Sequence, residues 1–133
     1  MLGLAAGIGI YNLFDEITEK LEKSIAKAKT NKKYRSATET HHIAAKKSYR
    51  AAEAKAILTE VLPNGVENPE NKIELKTVVH RRIHTNLYYA LVNSLVVDAY
   101  NSAGNDKLKA TENVRGALFV VRVFLEGLDN LVG

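Results

Sequence analysis

At 133 residues the chain is long enough to bury one sizeable core and too short for two. Hydrophobic residues are 46% and charged ones 26%, which excludes wholesale disorder; the absence of cysteine excludes disulfides, thiolate zinc sites and cysteine nucleophiles. The net charge of +4 is concentrated: between Lys27 and Lys55 nine bases face two acids, and such a stretch attracts polyanions.

Residues 1–14 carry no charged side chain. No basic segment precedes this apolar run, as a signal peptide requires, and Asp15 and Glu16 end it before the roughly 20 residues of a membrane span. The chain is therefore expected inside a cell or in a virion, with no transmembrane helix. A first helix is predicted over about 4–29, where Ile10, Phe14, Ile17, Leu21 and Ala28 line one face. A second is predicted over about 37–62. Ser36-Ala37-Thr38-Glu39 has the spacing of a capping box, and Ala44, Ser48, Ala52 and Ala56 recur as a ridge of small residues. Pro63-Asn64-Gly65 ends it.

Asn71-Lys72-Ile73-Glu74 repeats the capping-box spacing and opens a third predicted helix over about 72–102. Leu75, Val79, Ile83, Leu87, Leu91 and Leu95 form its i+4 ridge, and Gly104 suits a left-handed helix end. A fourth helix, about 106–132, carries the heptad seam Val114, Leu118, Val121, Leu125, Leu128 and Val132. These elements predict one all-α domain over 1–133, four long helices in an antiparallel bundle of two hairpins. Residues 116–128 are apolar nearly all round, more than one bundle can cover. The chain is thus expected to self-associate through Leu118, Phe119, Val123 and Phe124.

The chemistry-bearing residues are few. His80 and His84 stand four apart, a metal-binding spacing, but Arg81 and Arg82 between them repel a cation. Glu39 and His42 form a Glu-x-x-His of which a di-iron bundle needs two copies, and the chain has one. These histidines are read as solvated or anion-facing, and no metal, cofactor or catalytic residue is expected. The basic residues carry the larger signal: Lys32, Lys33, Arg35, Lys46, Lys47, Arg50 and Lys55, joined by Arg81 and Arg82. Tyr34 and Tyr49 lie among them. This set is expected to grip DNA or RNA backbone without reading sequence. An interfacial membrane association, with the uncharged N-terminus in lipid, is a further reading that the acids after residue 14 oppose.

Two resemblances follow. Arg35-Ser-Ala-Thr-Glu-Thr-His41 resembles the Arg-x(4–6)-His pattern of HEPN-type ribonucleases, helical bundles of comparable length. That likeness implies a metal-independent ribonuclease in which Arg35 holds phosphate and His41 moves a proton. The overall build (long helices, little loop, a basic hairpin, surplus apolar surface) resembles the small helix-bundle coat and nucleoprotein subunits of archaeal viruses. It implies a non-enzymatic assembly subunit, and of the two it is the preferred expectation.

Overall fold

The computed structural model describes residues 2–28 and 37–132, with side chains described over 12–26 and 37–132. Among these residues lie five α-helices and one two-stranded antiparallel sheet, in the order α1 (Leu2–Ala28), β1 (Thr38–His42), α2 (Ala52–Val61), β2 (Lys72–Lys76), α3 (Thr77–Ile83), α4 (Asn86–Ser102) and α5 (Lys107–Val132). The protein is therefore mostly helical, as expected, but neither strictly all-α nor a four-helix bundle. No described helix is long and apolar enough to cross a membrane.

The first and last helices match their predicted spans closely. On α5 every residue of the heptad seam is buried, and on α1 Ile17, Leu21 and Ile25 are. The two middle helices are not single helices. Residues 38–42 and 72–76 pair as strands, with Thr38 opposite Lys76 and His42 opposite Lys72. In β2, Ile73 and Leu75 are buried while Glu74 is exposed, a period of two that favours a strand. In the second segment the only α-helix is α2, 10 residues long and preceded by a 3-10 turn over Tyr49–Ala51. Ala52 and Ala56 of the small-residue ridge are exposed, and Ala51, Ala54 and Leu58 face the core instead.

The second capping box fails for an identifiable reason. Asn71 is fully buried, and its side chain receives the Ala44 N–H (2.8 Å) while donating to the carbonyls of Ala44 (3.0 Å) and Val66 (2.9 Å). Its side chain is thus engaged in a clamp between chain segments and is not free to cap a helix. The third predicted helix also breaks at His84–Thr85, where extended Thr85 caps α4 by accepting the Tyr88 N–H at 3.3 Å. Gly104 does end α4 in the left-handed region, at φ 59°.

One continuous core joins these parts: Ile17, Leu21 and Ile25 of α1, Leu58 of α2, Val92 and Val96 of α4, and the α5 seam. The sheet is fixed to it at both ends. The Lys76 N–H donates to Asp129 of α5 (2.8 Å), and Arg122 donates to the carbonyls of Pro69, Glu70 and Lys72 ahead of and within β2. The charged break in the apolar terminal helix is thus what anchors the hairpin.

Candidate active site

Alternation along β1 sends His41 and His42 to opposite faces of the hairpin. His41 points inward, under α3 and α4, and is fully buried. There it meets His80 on α3 and His84 at the α3–α4 break, with ring centroids 5.2 and 5.3 Å away; His80 and His84 are 4.9 Å apart. One ring nitrogen from each of the three lies within 4.8 Å of the others. The i, i+4 spacing of His80 and His84 places both on one side of α3, and the Asn71 clamp sets the third imidazole opposite them.

Each of the three also has a hydrogen-bond partner on one ring nitrogen. The Tyr88 hydroxyl donates to the Ile43 carbonyl (2.8 Å), so its oxygen accepts from His41 Nε2 at 2.8 Å. That fixes the proton on Nε2 and leaves His41 Nδ1 with its lone pair, buried and without a hydrogen-bond partner. The Glu39 carboxylate accepts from His80 Nδ1 at 3.2 Å, freeing Nε2, and Tyr89 Oη lies 2.9 Å from His84 Nδ1. Arg50 braces this last pair, its guanidinium 4.5 Å over the Tyr89 ring and hydrogen-bonded to Asn86.

Burial and neighbouring charge disfavour protonation of His41 and His84. Burial first, then the nearby imidazoles of His84, His80 and His42, push His41 from the ordinary 6.5 down to about 3. Burial also lowers His84, with His80 and Arg50 adding to it. The hydrogen bond from His80 lowers Glu39, aided by Arg81. Unprotonated imidazoles with aimed lone pairs are what a metal ligand set requires.

An open cleft of about 620 Å³ lies beside the cluster, lined among others by His42, Lys46, Lys47, His80, His84 and Tyr89. His42 Nε2 is 3.1 Å from Glu67 Oε1, and Glu67 also pairs with Lys46 (3.1 Å) and Lys72 (2.8 Å). Those two ammonium groups, Lys72 foremost, hold the Glu67 carboxyl well below its usual range. An ionised Glu67 accepts the Nε2–H of His42 and leaves Nδ1 free to take a proton. Thr40, also on the cleft, hydrogen-bonds Glu74 across the hairpin.

The expected nucleic-acid residues divide. Lys46 and Lys47 line the cleft, Arg50 supports Tyr89, and Lys55 donates to the Lys46 carbonyl at 2.9 Å. Arg81 pairs with Glu39, while Arg82 borders a separate groove with Lys20 between α1 and the start of α4. Lys32, Lys33 and Arg35 lie outside the described residues. Of the expected self-association residues, Leu118 is buried in the chain's own core and Phe124 packs edge-on against Phe14, at 4.8 Å; Phe119 and Val123 are exposed. Sequence reasoning treated His80 and His84 as a pair and His41 as separate. The available signal was that the chain has four histidines and two of them are adjacent.

A family model described as a nuclease family of the HNH/ENDO VII superfamily with conserved AHH matches residues 16–123. No curated protein and no solved structure matches the chain. The matched span holds the whole hairpin, all four histidines and the cleft. Its one adjacent histidine pair is His41-His42, so Thr40 stands where the family's triplet has alanine. This match overturns the expected non-enzymatic assembly subunit and the likeness to viral coat proteins, which rested on build alone. The ribonuclease alternative is nearer in activity class, although the matching family is not the HEPN one. With four-fifths of its length inside the match, the chain belongs to the AHH nuclease family of the HNH/ENDO VII superfamily.

Proposed function

We propose that the chain hydrolyses phosphodiester bonds of DNA or RNA at a metal centre held by His41, His80 and His84. The convergence of three imidazoles, one with a buried and unpaired Nδ1, carries this reading. Imidazole ligands suit zinc and its transition-metal neighbours better than magnesium or calcium. The three imidazoles, each with a ring nitrogen within 4.8 Å of the others, would hold such an ion. A bound divalent cation supplies charge neutralisation at the phosphoryl and leaving oxygens.

The chain's own residues do the rest. His42 Nδ1 takes the proton of a water attacking phosphorus, and Glu67 stabilises the resulting imidazolium through Nε2–H. The new P–O bond forms from that water as the bond to the leaving sugar oxygen breaks. Lys46 and Lys47 hold the phosphate backbone along the cleft without reading sequence. Tyr88, Glu39 and Tyr89 keep the three imidazoles in the metal-binding tautomer.

Cleavage of plasmid DNA and of RNA should stop with a chelator and return with added zinc, nickel or manganese. His80→Ala should lose both cleavage and metal binding, the latter read by calorimetric titration. Cleavage that survives both the chelator and His80→Ala would refute the metal-centre reading.

A further inference from the structure

We infer that α5 pairs antiparallel with α5 of a second copy of this chain. The contact is the stripe formed by Gly116, Phe119, Val120, Val123 and Gly127. At 100° per residue these five fall within an arc of about 100° on one helix face. Phe119 is 63% exposed, Val123 51% and Val120 46%, in one patch with no charge inside it.

The glycines supply an independent observation. Gly116 and Gly127 sit inside a continuous helix, where glycine costs about 1 kcal/mol relative to alanine. A Cβ added at either would meet nothing within 4 Å. The chain's own packing therefore gives no reason for them. A backbone approaching closely from outside does.

The order of the stripe identifies that neighbour. Gly116, Val120, Val123 and Gly127 are spaced four, three and four, the same from either end. A two-fold axis between Val120 and Val123 places each glycine opposite the partner's other glycine and each valine opposite the partner's other valine. This is the self-complementarity a two-fold interface needs. The charges at its edge obey the same symmetry. Arg115 and Glu126 flank the stripe on one side, and the axis brings each beside its opposite on the second copy. Glu126 makes no ion pair among the described residues, and Arg115 reaches Glu70 at 3.2 Å through one nitrogen of its fork. A lipid surface fits poorly, because such a helix carries a basic rim and this one is mixed. No stripe residue borders the histidine cleft, so pairing leaves both clefts open.

Sedimentation equilibrium of the full chain should approach twice the 14.7 kDa chain mass as concentration rises. Phe119→Glu and Val123→Arg should each return the monomer, with the circular dichroism and cleavage rate of the parent. The absence of cysteine permits a direct test of direction. Val123→Cys, near the axis, should form an interchain disulfide under mild oxidation, whereas Leu108→Cys, far from it, should not. A monomer up to millimolar concentration, an unchanged mass in Phe119→Glu, or equal cross-linking of Leu108→Cys would each overturn the antiparallel pair.

Discussion

The histidine hairpin and the terminal helix use their side chains in opposite ways. On α5 each residue's role follows from its place in a repeat: seam positions are buried and the opposite face is open. Around His41 the repeat decides little. His41 is set by Tyr88, 47 positions away, His80 by Glu39, 41 away, and the turn after β1 by Asn71, 27 away from Ala44. A helix face tolerates substitution of one member, because its burial is spread over many. The site has no such redundancy, because each of the three imidazoles is held by a single partner on one ring nitrogen.

Substitutions should expose that asymmetry. The largest effect is expected at His42→Ala, which removes the base while leaving the three ligands intact. Cleavage should fall about 10²–10⁴-fold with metal affinity nearly unchanged. A comparable fall in affinity would move His42 from proton transfer to ligation. Tyr88→Phe should come next. It removes the hydroxyl that fixes the His41 tautomer, and metal affinity should weaken about 10–100-fold in calorimetric titration. It also strands the buried Ile43 carbonyl, at about 1–3 kcal/mol of stability. Affinity that stays within a factor of two would show that packing alone orients His41.

Acid should distinguish the regions without mutation. The unfolded chain protonates His41 at the ordinary 6.5, whereas the metal-free folded chain refuses the proton down to about 3. The unfolded state therefore binds more protons between those values, and His41's contribution is fully present above 6.5 and lost as pH falls toward 3. The slope is at most about 1.4 kcal/mol per pH unit for one proton. Urea midpoints of the metal-free protein should fall from pH 6.5 to 5, above the carboxylate range, and His84, also lowered, acts in the same sense. A flat profile over that window would contradict a buried His41 that resists protonation.

The smallest effect, and of opposite sign, is expected on α5. Gly116→Ala meets open space in the single chain and should stabilise the helix by about 0.5–1 kcal/mol at low protein concentration. A loss of stability there would mean that the glycine already serves a contact within the chain.

Much of the fold was readable where residues repeat with one period over many turns. The α5 seam emerged correctly, as did Phe14, Ile17 and Leu21 of the α1 face (Ile10 and Ala28 lie outside the described side chains), because burial of a long helix is fixed by positions that recur locally. The short strands did not. Five residues at β1 and five at β2 contain too few repeats to separate a period of two from one of 3.6, and their capping-box spacings imitated helix starts. Asn71 shows the reason in a single side chain: the same amide that could cap a helix binds Ala44 and Val66 instead, partners no local window contains.

The sequence by itself determined a mostly helical domain, a concentration of positive charge suited to phosphate, and four histidines with one adjacent pair. Tertiary structure alone decided that residues 38–42 and 72–76 pair, that three of those histidines converge, and that Lys46 and Lys47 border the cleft they open onto. The physical reason is the range of the interactions. Helical periodicity is settled within a few turns, whereas a histidine's tautomer and neighbours depend on hydrogen bonds from residues that only the folded core brings together.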